Sequence, residues 1–382
     1  MLFLLGEFVH DLYVDLAGTH TEWWMTALGA SRLLTYITSR AILAALTSFL
    51  VTIVAGHRII RYLHRHGIRD VAKDFGAISV TDKRGTPSMG GLLILLALVV
   101  PALLWCDLTN RFVQLSLAAT VWFGGLGALD DLLKIKGRSG RDGLAPWQKL
   151  LAQGGFGCAL GLIYLDSSFS PAPSSVASNL YVPFSKAALV GDVGWWYLAV
   201  IVFVVLLISN SVNLTDGMDG LAVVPASFVS GVFGVIAYIM GNVVWSEYLQ
   251  YPHMTGAGEV LIFSSAVFSA CIGFLWYNAY PAQIIMGDTG SIALGGILAT
   301  LAVLLKLEVL FVIVGGVFIA ETASSFIQEK IGVGLIGRRI FYRAPLHHNY
   351  EHGGLAETKV VIRFWIVSGI LALLALASIK LR

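Results

Sequence analysis

Long runs of apolar residues alternate with short polar stretches along most of the chain. A helix needs about 20 mainly apolar residues to cross a bilayer, and ten runs approach this length. The runs at 149–165, which is rich in glycine, and at 308–327, which contains Glu321, are the weakest of them. The pattern predicts an all-α integral membrane protein with about ten transmembrane helices. The predicted spans lie near 38–57, 89–106, 112–129, 149–165, 193–210, 221–241, 259–277, 289–306, 308–327 and 360–380.

The composition agrees with a membrane protein. Hydrophobic residues make up 57% of the 382 residues and charged residues only 13%, with a mean hydropathy of +0.79. A soluble domain carries about 25% charged residues, so these values exclude a soluble enzyme with a large core. Cys106, Cys158 and Cys271 lie in or beside apolar runs without metal-ligand spacing, so neither a disulfide framework nor a cysteine metal site is predicted.

The chain shows no soluble second domain and no clear internal repeat, so we interpret 1–382 as a single polytopic membrane domain. Its opening stretch, MLFLLGEFVHDLYVDL, is too short to span a bilayer. It carries Glu7, Asp11 and Asp15 and lacks the basic start of a signal peptide. We therefore interpret 1–37 as an N-terminal interfacial segment.

Basic residues are concentrated in three polar stretches. Seven lie in 57–88, five in 130–149 and six in 330–363, which is eighteen of the 25 in the chain. Lysine and arginine accumulate in cytoplasmic loops, so with ten spans both termini are predicted to lie outside. The predicted cytoplasmic loops lie near 57–88, 130–148, 211–220, 278–288 and 328–359.

Carboxylates collect at the predicted cytoplasmic ends of the helices. GALDDLLKIKG supplies Asp130 and Asp131, NLTDGMDG supplies Asp216 and Asp219, and MGDTGS supplies Asp288. Carboxylates at the edge of the hydrocarbon region are costly unless they are paired or metal-bound. Mg²⁺ is held in proteins by one or two carboxylates plus substrate phosphates. A Mg²⁺ site near phosphates would therefore suit this set, and pairing with lysine and arginine is the alternative.

Each acidic motif also has an ordinary structural explanation. Asp130 and Asp131 precede Lys134 and Lys136, which would form local ion pairs at a helix end. Asp-Gly, present twice in TDGMDG, is a common turn former, and Asp288 would cap the following helix. The occurrence of three such motifs on one predicted membrane face favours an active site.

Glycine-rich and basic segments indicate phosphate binding on the same face. TPSMGG (86–91) and MGDTGS (286–291) each open an apolar run, as in helix starts that bind anions. Lys83 and Arg84 precede the first of them. In the last predicted cytoplasmic loop, RRIFYRAPLHHNYEHGG, the adjacent histidines beside arginines indicate phosphate binding or proton handling. A metal site in this loop is an alternative.

The motifs KRGTPSMGG, GALDD, NSVNLTDGMDGLA, NAYPAQIIMGDTGS and APLHHNYE occur in this order between the predicted spans. Together they resemble the phospho-N-acetylmuramoyl-pentapeptide transferases, or translocases I, of the polyprenyl-phosphate N-acetylhexosamine-1-phosphate transferase family. The resemblance runs from about Arg40 to Arg382. It implies a ten-helix, Mg²⁺-dependent enzyme of the bacterial cytoplasmic (inner) membrane, usually a homodimer, whose active site faces the cytoplasm.

The resemblance implies an activity and a set of site residues. The activity is transfer of phospho-MurNAc-pentapeptide from UDP-MurNAc-pentapeptide to undecaprenyl phosphate, which gives lipid I and UMP in peptidoglycan biosynthesis. Asp288 is the expected Mg²⁺ ligand, and one of Asp130 and Asp131 is a proposed base. The expected catalytic residues are Asp130, Asp131, Asp288 and His347, and the expected substrate-binding residues are Lys83, Ser88, Asn210, Asn213, Asp216, Asp219, Asn278 and His348.

Two positions depart from the family pattern. Asn349 stands where the family commonly has a third histidine, and Ile285 stands where it commonly has an aromatic residue that can stack on uracil. The first departure weakens any mechanism that needs three imidazoles, and the second weakens base stacking at that point. The sequence leaves open which aspartate acts as base and whether attack is direct or passes through a phospho-enzyme.

Two other functions compete with this interpretation. A polyprenyl-phosphate GlcNAc-1-phosphate transferase would keep the aspartates but differ in the last cytoplasmic loop, where APLHHNYE favours the muramoyl enzyme. A secondary transporter would place its acidic residues near the bilayer midplane and would show repeated halves. The acidic residues here cluster at one predicted face, which favours a transferase. No nucleic-acid partner is expected.

Overall fold

The computed structural model describes residues 1–4, 6, 7, 9, 32–68, 85–137 and 143–381. Within these ranges the chain is almost entirely helical, and the protein is an all-α, multi-pass membrane protein, as predicted. Most of the predicted interfacial segment 1–37 and the predicted site residue Lys83 lie outside the described residues.

We number the main helices in chain order. They are α1 Ile37–Arg65, α2 Gly91–Trp105, α3 Arg111–Lys136, α4 Pro146–Leu165, α5 Tyr197–Thr215, α6 Val223–Gly241, α7 Glu259–Asn278, α8 Gly287–Leu304, α9 Glu308–Val314, α10 Gly316–Phe326, α11 Leu346–His352 and α12 Glu357–Lys380. Shorter helical segments lie at Arg32–Thr35, Ser174–Ala177, Gly194–Trp196 and Val243–Leu249, and a π-helical segment at Ile327–Ile336. Strands β1 Leu180–Tyr181 and β2 Ala188–Val190 pair antiparallel, with Leu180 opposite Val190.

Each of the ten predicted spans corresponds to helix in the structure, although not every helix is long enough to cross a bilayer alone. Seven helices in the described ranges are long and apolar enough to do so. An eighth span results if α9 and the helical residues from Gly316 to Ile336, which are bent by 87° relative to it, are taken together. Helix α2 has only 15 residues, so the total of ten spans stays a prediction.

Helix α8 lies at the centre of the bundle. Every residue from Thr289 to Leu304 is buried. A Cβ atom at Gly295 would press on the backbone of Ser209 in α5, and one at Gly296 would overlap the ring of Phe123 in α3. Membrane helices approach closely through such small residues. The close packing fixes α8 laterally, and with it Asp288 in its first turn.

Two more glycines bring neighbouring helices close to the start of α8. A Cβ atom at Gly91 in α2 would overlap the backbone of Gly290, and one at Gly127 in α3 would overlap the carbonyl oxygen of Asp288. Asp131 follows Gly127 by about one helical turn. The close approach therefore places the Asp131 carboxylate beside the first residues of α8.

The opposite end of the bundle is held by a buried ion pair. Arg40, near the start of α1, forms a bidentate pair with Glu259, the first residue of α7, including a hydrogen bond of 3.0 Å. The same guanidinium donates to the carbonyl of Trp105 at the end of α2 (3.1 Å), and the N–H of Asp107 donates to Glu259 (2.8 Å). A buried charge needs such pairing, and the result is a fixed junction of three helices.

Candidate active site

Three aspartates that are far apart in sequence meet at one end of the bundle. Asp130 and Asp131 lie near the end of α3, and Asp288 lies in the first turn of α8. One carboxylate oxygen from each of them falls within 4.8 Å of the others. Asp130 and Asp131 are buried, whereas the side chain of Asp288 is 17% exposed. We call these residues the aspartate cluster.

Asp131 caps the start of α8 from the neighbouring helix. It accepts hydrogen bonds from the N–H groups of Asp288 (3.1 Å) and Thr289 (2.8 Å) and from the hydroxyl of Thr289 (2.7 Å). Gly287 has φ +71°, which favours glycine, and a Cβ atom there would lie 2.7 Å from the Asp131 carboxylate. The sequence allowed Asp288 as the cap of α8, but the capping side chain is Asp131, which leaves the Asp288 carboxylate available to the cluster.

Two lysines neutralise most of the charge of the aspartate cluster. Lys134 contacts Asp130 (2.6 Å), Asp288 (3.0 Å) and Asp131 (3.8 Å). Lys149, in the first turn of α4, contacts Asp130 (2.9 Å) and Asp288 (2.7 Å). The sequence predicted local pairing by Lys134 as one explanation. It marks Lys149 only as one of five basic residues in 130–149, and the position of Lys149 just after Pro146, at a helix start, does not by itself predict a contact with the aspartates.

A cavity of about 820 Å³ opens beside the aspartate cluster. It receives residues from each of the five loops that the sequence predicts to be cytoplasmic. Its polar lining includes Ser88, Asp131, Lys134, Asn213, Asp216, Asp288, Ser291, Gln328, Glu329, Arg339, Arg343, His347 and His348. Carboxylates, ammonium and guanidinium groups and imidazoles thus surround one space, which suits a polyanionic ligand with a bound cation.

Asn213 orients the carboxylate of Asp288, the most exposed member of the aspartate cluster. Its amide donates to Oδ1 of Asp288 (3.1 Å) and to the hydroxyl of Ser291 (2.8 Å). Asp216 follows at the end of α5 and lines the cavity. Ser88 also lines the cavity, and its N–H donates to the carbonyl of Ile68 (3.2 Å), which fixes it beside the end of α1.

Three predicted substrate-binding residues brace neighbouring segments and do not line the cavity. Asn210 donates to Gln153 of α4 (2.7 Å), and Asp219 accepts from the N–H of Ala282 (3.0 Å). Asn278 accepts from the N–H of Gly220 (2.9 Å) and donates to the carbonyl of Ile284 (2.9 Å). The bonds of Asp219 and Asn278 hold the turn after α5 and the turn before α8 against each other, and the bond of Asn210 joins α5 to α4.

The histidine loop closes one side of the cavity. His347 is buried and bound to Glu321, with 2.9 Å between Nδ1 and the carboxylate. His348 is half-buried and has Glu351 at 3.3 Å from its Nδ1. Burial and the neighbouring His347 hold the pKa of His348 below its usual range. In the sequence, Glu321 stands out only as a polar residue that weakens the predicted span 308–327.

The two departures from the family pattern occupy definite places. The side-chain oxygen of Asn349 accepts from the N–H of Arg343 (3.4 Å), so this position takes part in the loop's own turn. Ile285 lines the cavity, and its N–H donates to the carbonyl of Pro87 (2.8 Å). An aliphatic side chain therefore stands at the position where the family commonly has a ring.

Comparison with known proteins identifies the family of the chain. The model of glycosyl transferase family 4 matches residues 113–306, and a signature of phospho-N-acetylmuramoyl-pentapeptide-transferases matches residues 83–95. A phospho-N-acetylmuramoyl-pentapeptide-transferase of Maridesulfovibrio salexigens is 43% identical over 93% of this chain and 97% of its own length. The enzyme of that name from Desulfotalea psychrophila is 44% identical over 94% and 97%, respectively. The chain therefore belongs to the phospho-N-acetylmuramoyl-pentapeptide-transferase family.

Proposed function

We propose that the protein transfers phospho-MurNAc-pentapeptide from UDP-MurNAc-pentapeptide to undecaprenyl phosphate and releases UMP and lipid I. The observation that carries the proposal is the aspartate cluster with Lys134 and Lys149 beside a polar cavity at one end of a membrane bundle. A water-soluble nucleotide sugar and a membrane-bound lipid phosphate can both reach such a place. The names of the two relatives support the same reaction.

The reaction requires two anions to meet. A phosphate oxygen of the lipid forms a bond to the sugar-linked phosphorus of the donor, and the bridging P–O bond breaks so that UMP leaves with the electron pair. Lys134 lies at the cavity wall beside Asp288, where its ammonium group would lower the repulsion between the two phosphates. The second pKa of a phosphate monoester is about 6, so the attacking oxygen needs little help from a base.

The aspartate cluster fits Mg²⁺. Its donor set consists of three carboxylates within 4.8 Å of one another, and oxygen ligands are those that a hard divalent cation prefers. Asp288 is its most accessible member and would hold the ion, and Asp130 and Asp131 would add negative charge beside it. A bound Mg²⁺ would neutralise charge on the diphosphate and on the leaving UMP. The protein's own contribution is to hold Asp288 in place through Asn213 and the close contact with α3.

The three aspartates are suited to different tasks. Asp131 is occupied by three hydrogen bonds from the start of α8. Asp130 is fully buried, accepts from the N–H of Leu144 (2.7 Å) and contacts both lysines. Asp288 alone combines partial exposure with a place at the cavity wall. We therefore assign Asp288 to holding the metal that would neutralise the diphosphate, and Asp130 to holding the lysines.

We further propose that the protein resides in the bacterial cytoplasmic membrane with the aspartate cluster facing the cytoplasm, where nucleotide sugars are made. The distribution of basic residues supports this orientation. Family resemblance supports a homodimer, which chemical crosslinking in membranes would test.

UMP release by purified protein tests the activity. Undecaprenyl phosphate serves as acceptor, and UDP-MurNAc-pentapeptide and UDP-GlcNAc are compared as donors with and without Mg²⁺. We expect Mg²⁺-dependent release with the muramoyl donor alone. Release with UDP-GlcNAc alone would identify the protein as the rival GlcNAc-1-phosphate transferase. No release with either donor would contradict the proposal.

A further inference from the structure

Glu321 lies beneath the histidine loop with its carboxylate fully buried. Its Oε1 accepts from the backbone N–H of His347 (3.1 Å), and its Oε2 lies 2.9 Å from Nδ1 of the same residue. In the part of the chain that the structure describes, no lysine or arginine lies within 4.0 Å of this carboxylate. Both of its oxygens are therefore bound to one residue, which fixes the backbone and the ring of His347 together.

The other side of the His347 ring packs on Gly217. A Cβ atom at Gly217 would overlap Nε2 of His347, and this nitrogen is buried and has no hydrogen-bond partner among the described residues. The ring is thus enclosed between α10 and the turn that follows α5. His347 is only 1% exposed, whereas the side chain of His348 is 26% exposed. Of the two histidines, His348 is the one open to a ligand.

The bond to Glu321 connects α10 to α11, whose residues His347 and His348 line the cavity. Glu321 belongs to α10, the helix that follows the sharp bend after α9, and His347 belongs to α11. Between them the amide of Gln328 binds the loop again: its oxygen accepts from the N–H groups of Ile340 (3.0 Å) and Phe341 (3.0 Å). The loop that carries Arg339 and Arg343 is therefore held beside the cavity by two sets of hydrogen bonds, one to Glu321 and one to Gln328.

We propose that Glu321, His347 and Gly217 form a latch that positions the arginines and His348 around the bound substrate. In this arrangement His347 is a positioning residue, and the imidazole that meets substrate belongs to His348. The kinetic consequences rest on the proposed function. The latch itself rests on the burial of the His347 ring, which borders the cavity while its Nε2 is covered by Gly217.

Conservative substitutions distinguish a latch from acid–base catalysis. The amide nitrogen of asparagine lies two bonds from Cβ, as Nδ1 of histidine does, so His347→Asn can still donate to Glu321. Glutamine at position 321 can also form two hydrogen bonds to His347. Its oxygen accepts from the backbone N–H, and its amide nitrogen donates to Nδ1 when the ring proton lies on Nε2. We expect His347→Asn and Glu321→Gln to keep turnover within about tenfold of wild type, and His347→Ala and Glu321→Ala to lose about 10²-fold or more.

An asparagine does not titrate near neutral pH, which gives a second kinetic readout. We expect the pH profile of kcat for His347→Asn to keep both limbs of the wild-type profile. A missing limb, or an activity as low as that of His347→Ala, would show that the His347 imidazole handles a proton and would overturn the latch.

Limited trypsin digestion tests the latch without any measurement of activity. Arg338, Arg339 and Arg343 lie in the closed loop, so its cleavage reports opening. We expect faster cleavage confined to this loop in His347→Ala and Gly217→Ala, and wild-type rates in His347→Asn. Unchanged cleavage in His347→Ala would overturn the latch. If wild type releases no UMP from either donor, the proposed function fails while this digestion still decides the latch.

Discussion

The three clustered aspartates have different local roles although the sequence presents them as equivalents. Asp131 caps α8, Asp130 pairs with both lysines, and Asp288 faces the cavity. The sequence predicted that the acidic motifs would share one membrane face and that Mg²⁺ would suit them. It could not divide the tasks, because Asp131 and Asp288 meet only through the register of α3 against α8, which Gly127 determines through backbone contact.

Replacing Asp288 by asparagine should remove Mg²⁺-dependent turnover while leaving the protein folded in the membrane. The amide keeps the size of the side chain and its bond to Asn213 but loses the charge that a hard cation needs. We expect UMP release to fall by about 10²-fold or more, measured over a range of Mg²⁺ concentrations. Asp166→Asn, at the opposite end of the bundle, is the control. A near-normal rate for Asp288→Asn would assign this residue a structural role only.

Lys149 is expected to be as important as the aspartates that it bridges. Lys149→Met keeps much of the length of the side chain but leaves Asp130 and Asp288 with one ammonium group between them. We expect UMP release to fall by about 10²-fold, with partial recovery in Lys149→Arg, which keeps the charge. Lys186→Met, in the predicted outer loop, should be neutral. Equal rates in wild type and Lys149→Met would contradict this role.

At position 349 the third histidine of the family should be dispensable. Asn349 acts in the structure as an acceptor for the N–H of Arg343, and Nδ1 of a histidine can accept the same bond. We expect Asn349→His to change steady-state UMP release by less than about threefold. A large gain would show that a third titrating group matters here.

Among the elements, the apolar runs predicted where helices lie but not where they break or end. The loop predicted at 211–220 begins inside α5, which continues to Thr215, because Asn213 is satisfied by Asp288 and Ser291 of α8. The bend after α9 falls at Gly315, where the ring of Phe311 occupies the space of a side chain. The contacts of Asn213 join residues that are distant in sequence, and the contact at Gly315 depends on the direction of one side chain, so hydropathy contains neither.

The contact between α3 and the start of α8 can be tested at the level of the helix. Gly127→Ala would place a methyl group on the carbonyl of Asp288 and force the two helices apart. Overpacking of this kind costs about 1–3 kcal/mol, and we expect a lower Tm and a lower rate of UMP release. Gly125→Ala, on the same helix with open space around it, should leave both unchanged. Equal behaviour of the two variants would show that α3 can move without harm.

At the scale of the whole molecule, five loops that are scattered in sequence converge on one cavity. The basic-residue pattern predicted that they would share a side, and residues such as Ser88, Asn213 and His348 now line one space. Lys149 and Glu321 were missed because neither belongs to a motif. Lys149 pairs with aspartates of two other helices, and Glu321 pairs with a histidine 26 residues later in the chain. The pattern of basic residues predicts on which side of the membrane a loop lies. Pairs of side chains from different helices can be identified only when the fold is known.

The orientation of the molecule in the membrane is predicted from the basic residues, since eighteen of the 25 lie in three predicted cytoplasmic loops. Ser174 is exposed beyond the far end of α4, and His66 is exposed just after α1 at the site end. Cysteine at 174 should react with a membrane-impermeant maleimide on intact cells, and cysteine at 66 only after the membrane is permeabilised. The native cysteines must first be replaced, because Cys158 is exposed. Reaction of both positions in intact cells would contradict the topology, and the reverse pattern would turn the aspartate cluster outward, away from the cytoplasmic nucleotide sugar.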